Sequence, residues 1–244
     1  MTERILILGG TAEARTLANN LLDRGKFHVI TSLAGRTDNP RLPGGEIRIG
    51  GFGGIEGLAD YLKGEAVSLV IDATHPFAAR ISTHATEAAK AAGANIIRLE
   101  RPAWKAEAGD RWHHVPSVEE AVHLIPDGAS TLVTIGRQQL GAFLDRDDIK
   151  VVARAIEGPK ITVPESWTVI LARPPFPLAE EIALFEKYEI DVLVTKNAGG
   201  TETRDKLLAA RALEKPVIMI DRLPKPDVET YATMEALLSR LDTL

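Results

Sequence analysis

Residues 5–14 read Ile-Leu-Ile-Leu-Gly-Gly-Thr-Ala-Glu-Ala, an apolar run that ends in two glycines and continues into residues that favour a helix. A strand that turns through glycine into a helix presents unpaired backbone N–H groups and the positive end of the helix dipole. Gly9 and Gly10 allow a ligand to approach the backbone closely, so a pyrophosphate fits there beside Thr11 and Ala12. The spacing departs from G-x-G-x-x-G, and a plain tight turn is the alternative interpretation.

Further apolar runs of this kind recur along the chain and alternate with helical patterns. They lie at residues 29–30, 67–71, 96–99, 132–135, 151–152, 169–171, 192–194 and 217–220. Runs rich in Val and Ile that are apolar on both faces are typical of parallel strands covered by helices. We therefore predict an α/β protein of two Rossmann-like lobes, with mainly parallel sheets and a cleft between them.

Turn-forming residues at 126–130, Pro-Asp-Gly-Ala-Ser, give the best linker in the sequence. We predict an N-terminal nucleotide-binding lobe over residues 1–127 and a C-terminal substrate-binding lobe over residues 128–244. The tail at 229–241 has the pattern of a strand and a helix, which could return to either lobe.

Composition excludes several classes of function. The 244 residues carry a formal net charge of −5, contain 5% aromatic residues and include no cysteine. This excludes thiolate metal sites, thiol nucleophiles and a broad nucleic-acid surface. The short apolar run near the N-terminus predicts neither a signal peptide nor a membrane span, so we expect a cytoplasmic protein. The histidines show no spacing typical of a metal site, and we expect none.

The end of the second strand indicates which nucleotide is bound. Residues 27–36 contain no acidic side chain, although NAD-binding folds use one there to hold the ribose hydroxyls. The stretch instead offers Ser32 and Arg36, whose hydroxyl and guanidinium groups suit the extra phosphate of NADPH. A solvated surface arginine is the alternative for Arg36.

Two further loops of the first lobe carry candidate residues. Gly51 lies in a glycine cluster at 50–54 that predicts either a close approach to the cofactor or a flexible turn. The strand at 67–71 continues into Thr74 and His75, and Pro76 biases His75 towards an extended backbone at the carboxyl end of the sheet. A structural histidine that caps its own helix is the alternative.

Basic residues follow several strands of the second lobe. Their convergence on one sheet edge favours an anionic ligand over scattered surface charge. The loop after the apolar run at 192–194 lacks the spacing of an ATP-binding Walker sequence. The candidates for binding a carboxylate or phosphate are Arg137, Arg173, Lys196, Asn197, Gly199, Gly200 and Thr201.

Five segments taken together resemble the precorrin-6A reductase family. They are residues 5–14, Ser-Leu-Ala-Gly-Arg-Thr from Ser32, Asp-Ala-Thr-His-Pro-Phe-Ala from Asp72, Arg-Leu-Glu-Arg-Pro-Ala-Trp from Arg98 and Thr-Lys-Asn-Ala-Gly-Gly-Thr from Thr195. The resemblance extends from Ile5 to about Arg222. It implies an NADPH-dependent enzyme of cobalamin biosynthesis that reduces one double bond of the tetrapyrrole precorrin-6A to give precorrin-6B.

The reaction that this resemblance implies needs a hydride and a proton. His75 is the first candidate for donating the proton or orienting the nicotinamide, and Lys196 is the second, although solvent or a substrate acid could serve equally well. The resemblance also makes neighbouring pathway enzymes candidate partners. The nucleotide loop alone would equally permit an NADPH-dependent reductase or epimerase of another small anionic substrate, or a non-catalytic NADP-binding module.

Overall fold

The computed structural model describes residues 3–35 and 40–243. The strands are β1 Glu3–Leu8, β2 Phe27–Leu33, β3 Glu46–Ile49, β4 Leu69–Asp72, β5 Asn95–Leu99, β6 Trp112–Val115, β7 Ser130–Thr134, β8 Lys150–Ala155, β9 Thr168–Leu171, β10 Val192–Lys196, β11 Val217–Ile220 and β12 Glu229–Tyr231. The helices are α1 Ala12–Arg24, α2 Ile55–Gly64, α3 Ala79–Ala92, α4 Val118–His123, α5 Leu178–Lys187, α6 Asp205–Ala212 and α7 Met234–Leu241, with a 3₁₀ helix at Arg137–Phe143.

The chain forms two compact α/β units. The first unit contains the described residues up to Pro102 together with those from Leu223 onward, and the second contains Ala103–Arg222. Each unit has one six-stranded sheet, and every neighbouring pair of strands is parallel. The predicted α/β class with two parallel sheets is therefore confirmed.

The first sheet has the strand order β3-β2-β1-β4-β5-β12. This is the order 3-2-1-4-5-6 of dinucleotide-binding folds, in which the chain reverses direction across the sheet between the first and fourth strands. Leu8 of β1 is in register with Asp72 of β4, so the two central strands end together at the carboxyl edge. Helices cover both faces, as shown by separate apolar clusters around Ile7 and around Leu6.

The second sheet repeats this topology with its own strands. Its order is β9-β8-β7-β10-β11-β6, so β7 occupies the position that β1 has in the first sheet. The sixth strand differs in origin between the two units. In the first unit β12 comes from the end of the chain, whereas in the second unit β6 precedes all the other strands.

The observed division of the chain differs from the predicted boundary between residues 127 and 128. β6 pairs with β11, with Trp112 in register with Val217, and this places residues 103–127 in the second unit. The Pro-Gly segment is a turn inside that unit, where the Ala129 N–H donates to the Pro126 carbonyl. A turn within a unit and a linker between units have the same composition, so the sequence could not distinguish them.

The C-terminal tail returns to the first unit. β12 pairs with β5, and Leu237 and Leu241 of α7 are buried in the same apolar cluster as Ile5 and Leu17. Within residues 3–35 and 40–243, no helix combines the length and the apolar character needed to span a bilayer.

Candidate active site

The turn between β1 and α1 fits closely against the end of β2. The Gly9 N–H donates to the Ser32 carbonyl at 2.9 Å, and a Cβ atom at Gly9 would lie 3.2 Å from Thr31 Cγ2. Gly10 follows with a φ of +107°, which side chains other than glycine rarely adopt. Gly9 is therefore favoured because space for a side chain is tight, and Gly10 is favoured by its backbone conformation.

Thr11 fixes the start of α1 relative to the end of β4. Its Oγ1 accepts from the Ala14 N–H at 3.0 Å and donates to the Ala73 carbonyl at 2.9 Å. The N–H groups of Ala12 and Glu13, in the first turn, have no acceptor within the helix. Together with the helix dipole, these donors make the turn suitable for an anionic group such as a diphosphate.

A buried ion pair lies directly after β4. The Arg98 Nε donates to Asp72 Oδ2 at 3.0 Å, and both side chains are almost fully buried. Thr74 donates to Asp72 Oδ1 from its hydroxyl at 2.6 Å and from its N–H at 3.2 Å. These bonds determine the conformation of residues 72–74, where the backbone leaves the sheet.

The ionised form of Asp72 is favoured despite its burial. Burial by itself would raise the pKa of this carboxyl group. The hydrogen bond from Thr74, the nearby Ser82 hydroxyl, the charge of Lys225 and the hydrogen bond from Arg98 outweigh burial and hold the pKa below its ordinary value of 3.8. Asp72 is therefore a negatively charged structural group at neutral pH.

His75 lies immediately beyond this network. Its Nδ1 accepts from the Phe77 N–H at 3.2 Å, so in the neutral ring the proton resides on Nε2. The centroids of the His75 and Phe77 rings lie 5.9 Å apart. His75 thus closes a local turn through Nδ1 while its ring stands at the carboxyl edge of the sheet, as the sequence predicts.

A small, shallow cavity, partly open to solvent, lies at this edge. Its lining comes from the segments that follow β1, β4 and β5 and includes Thr11, Glu13, Thr74, Pro76, Glu100 and Arg101. Arg101 donates to Glu13 Oε1 at 2.6 Å across it. The cavity lies at the reversal point of the sheet, where ligands of such folds bind.

The opposite half of this edge contains the predicted adenosine contacts. Ser32 is buried at the end of β2, and Arg36 lies outside the described residues. Gly51 follows β3, and its carbonyl accepts from Arg48 Nη2 at 2.8 Å. The Arg48 guanidinium also stacks 3.7 Å from the centre of the Phe52 ring. Arg48 thus holds the turn formed by the glycine cluster in place.

Two of the predicted basic residues of the second unit share one carboxylate. Arg137 Nη2 lies 3.2 Å from Glu157 Oε2, and Arg173 Nη2 lies 3.7 Å from Glu157 Oε1. The three residues follow β7, β8 and β9, which are neighbours in the sheet. Glu157 thus holds two guanidinium groups together at the carboxyl edge of the second sheet.

The loop after β10 is clamped onto Trp104. Asn197 Oδ1 accepts from the Trp104 N–H at 2.8 Å, and Asn197 Nδ2 donates to the Trp104 carbonyl at 3.1 Å. The Trp104 indole donates to the Gly200 carbonyl at 2.8 Å. These contacts give the Asn197 amide a structural role, and its predicted substrate contact stays a prediction.

The predicted site residues therefore form one group on each sheet. The first group, at the carboxyl edge of the first sheet, contains Gly9, Gly10, Thr11, Ala12, Ser32, Thr74 and His75, with Gly51 two strands away from β1. The second group, at the carboxyl edge of the second sheet, contains Arg137, Arg173, Lys196, Asn197, Gly199, Gly200 and Thr201.

Several residues that contribute to these two groups were not predicted from the sequence as site residues. Asp72, Glu13 and Arg101 lie in the segments that carry the family resemblance, and this was the available signal for them. Glu157 lies outside those segments, and only the order of the strands places it between the two arginines.

A parallel sheet in this order, with a glycine turn and a helix N-terminus at its reversal point, defines a dinucleotide-binding α/β protein. The chain belongs to the family described as precorrin-6x reductase CbiJ/CobK, whose model matches residues 4–242. It is therefore an oxidoreductase.

Relatives support this membership over nearly the full length. A precorrin-6A reductase of Rhodococcus erythropolis is 46% identical, and the alignment covers 99% of this chain and 98% of that protein. A solved structure, CobK precorrin-6A reductase, is 42% identical with a TM-score of 0.92, covering 99% of this chain and 96% of the other. A cobalt-precorrin-6A reductase of Priestia megaterium is 30% identical, with 97% of each chain covered.

We expect Asp72→Asn to lower the free energy of unfolding at pH 7 by about 3 to 5 kcal/mol, because it leaves Arg98 buried without its counter-charge. The folded pKa of Asp72 is depressed, so its carboxylate stabilises the fold above the unfolded value and loses this effect as pH falls through the folded value. The difference between the two proteins should therefore narrow below about pH 4. Urea denaturation at pH 7 and pH 3 measures it, with Asp60→Asn on the exposed face of α2 as control. A difference that stays constant down to pH 3 would contradict the assignment.

Proposed function

We propose that this reductase transfers a hydride from NADPH to one double bond of precorrin-6A, giving precorrin-6B. The observation that carries the proposal is the Gly9–Gly10–Thr11 turn at the reversal point of the first sheet. Membership in the reductase family supplies the type of reaction.

The residues of the first unit fit a nicotinamide dinucleotide. The open backbone at Gly10 and the unpaired N–H groups at the start of α1 would hold the diphosphate. By analogy with folds of this strand order, the adenosine half lies towards β2 and β3 and the nicotinamide half towards β4 and β5. This orientation would bring the reactive end of the cofactor towards Thr74 and His75.

The choice of NADPH rests on the end of β2 and its neighbour. Ser32 lies at the end of β2 and Arg36 comes four residues later in the sequence, where an acidic residue would favour NADH. Arg48 is in register with Ser32 on the adjacent strand, and none of the described carboxylates forms an ion pair with it. Positive charge at this end of the sheet favours a cofactor that carries an extra phosphate.

The second unit fits a substrate with several carboxylates. Arg137 and Arg173 bring two guanidinium groups together beside Glu157, and Lys196 ends the adjacent central strand. Guanidinium groups bind carboxylates through paired hydrogen bonds, so they suit the acetate and propionate groups of a precorrin. Relatives named for the cobalt-free substrate are more similar to this chain than the relative named for the cobalt form, and this favours precorrin-6A.

Bound nicotinamide supplies the hydride, and the residues of this chain supply position and a proton. The hydrogen bonds of Thr11 and Thr74 fix the backbone that would hold the cofactor and so would limit its motion relative to the acceptor carbon. Because His75 Nδ1 accepts from the Phe77 N–H, Nε2 is the ring atom that would donate. From the neutral ring it would donate a hydrogen bond that orients the nicotinamide, and from the imidazolium it would deliver the proton to the second carbon. Lys196 is the second candidate donor.

The test of the proposed function is oxidation of NADPH, followed at the nicotinamide absorbance band. We expect consumption that requires precorrin-6A, proceeds more slowly with cobalt-precorrin-6A and yields precorrin-6B in equal amount. A protein that binds NADPH to saturation without consuming it in the presence of precorrin-6A would refute the proposal.

We expect Arg36→Ala to weaken NADPH binding by about 2 to 3 kcal/mol and to leave NADH binding nearly unchanged, because only NADPH carries the phosphate that a guanidinium would bind. Calorimetric titration of both cofactors measures this difference. Arg41→Ala, an exposed arginine in the same segment, is the matched control. Equal losses for the two cofactors would show that Arg36 does not contact the phosphate.

We expect His75→Ala to lower kcat at least tenfold while the Kd of NADPH changes less than twofold, because general acid catalysis contributes about 10²-fold or more. His75→Asn separates the two roles of this side chain, since an Asn oxygen can accept from the N–H two residues on and preserve the turn. A catalytic His75 leaves both variants slow. Recovery of kcat in His75→Asn would instead establish a purely structural role, and His113→Ala at an exposed site is the control.

A further inference from the structure

Glu13 presents one carboxylate oxygen to which no described protein group donates. Its Oε1 accepts from Arg101 Nη1 at 2.6 Å, which fixes the orientation of the carboxylate. Its Oε2 is shielded from solvent although 37% of the side chain is exposed, and within residues 3–35 and 40–243 no donor reaches this oxygen. The same side chain lines the cavity beside Thr11 and Thr74.

This arrangement is not explained by capping of α1. Thr11 is the N-cap residue and its own Oγ1 accepts from the Ala14 N–H, which completes the side-chain part of the cap. A capping-box carboxylate stands three residues after the N-cap, whereas Glu13 stands two residues after it. The second oxygen of Glu13 is therefore directed by Arg101 and not by the helix end.

A buried oxygen without a donor is unfavourable, and the cost is greater for a charged group than for a neutral one. A ligand that brings a hydroxyl or amide N–H to this position would remove the cost. Diphosphate oxygens have no such hydrogen at neutral pH, so the diphosphate at the turn cannot be the partner of Oε2. The partner must come from a part of the ligand that carries donors.

The position of the cavity selects that part. Its lining comes from the segments after β1, β4 and β5, which is the side of the sheet opposite β2 and β3. A dinucleotide that crosses the reversal point places its nicotinamide nucleoside there, with two ribose hydroxyls and a carboxamide. We propose that Glu13 binds the nicotinamide nucleoside by accepting a hydrogen bond from it at Oε2. The inference rests on the proposed function, because it assumes that a nicotinamide dinucleotide binds the first unit.

The experiment compares two ligands that share the adenosine end but differ at the nicotinamide end. The Kd values of NADPH and of 2′,5′-ADP, which lacks the nicotinamide nucleoside together with the one phosphate of the diphosphate that carries it, are measured by calorimetry for the intact chain and for Glu13→Ala. We expect Glu13→Ala to raise the Kd of NADPH about tenfold, the size typical of one hydrogen bond to a charged group, and to leave that of 2′,5′-ADP within twofold.

Two further variants keep the result interpretable. Glu56→Ala removes an acidic residue from the first turn of α2, and should change neither Kd. Glu13→Gln retains the size of the side chain and an amide oxygen that can accept, so it should raise the Kd of NADPH less than Glu13→Ala does. It also provides the comparison if Glu13→Ala does not fold.

The inference is overturned if the Glu13 variants weaken both ligands equally, which would indicate a structural role at the turn, or if they weaken neither. If the unaltered protein binds 2′,5′-ADP and NADPH, the proposed nucleotide site stands whatever the variants show. If it binds neither ligand, the proposed function fails and this inference fails with it.

Discussion

The ion pair between Asp72 and Arg98 is the interaction on which the rest of the first site depends. It joins the last residue of β4 to β5 inside the protein, where an unpaired charge would cost several kcal/mol. The same carboxylate receives both hydrogen bonds from Thr74, and the Arg98 guanidinium also donates to the Pro226 carbonyl of the returning tail. Loss of this pair would therefore disturb the carboxyl edge of the sheet and the attachment of the C-terminal segment together.

The segments that carry the family resemblance are also those that contact one another. Gly9 bonds to Ser32, Thr11 bonds to Ala73 and Glu13 pairs with Arg101, so the first four segments form one hydrogen-bonded network in the first unit. The fifth contacts Trp104, the final residue of the fourth, within the second unit. Residues far apart in the chain are thus required together, which gives a physical reason for the combination to be more specific than any single segment.

The sequence predicts the buried strands well because apolar side chains mark them on both faces. It misses β6, whose residues Trp-His-His-Val occupy an edge of the second sheet with His113 and His114 exposed. The predicted boundary failed for a related reason, since only pairing with β11 shows that β6 belongs to the second unit. The roles of side chains are harder to predict from the sequence than the strands. Nothing near Asn197 in the chain indicates that its amide would form hydrogen bonds with the backbone of Trp104.

The two sheets share a topology but differ at the equivalent turn, and this difference supports a division of ligands. After β1, Gly9 and Gly10 lead into the α-helix α1, whose N-terminus offers backbone donors to a diphosphate. After β7, Gly136 leads into a 3₁₀ helix that begins with Arg137, and that arginine faces Glu157. Backbone donors suit a compact diphosphate held close to the chain, whereas long guanidinium groups can reach carboxylates spread around a macrocycle. One fold can in this way supply the two kinds of donor that the proposed nucleotide and the proposed polycarboxylate substrate require.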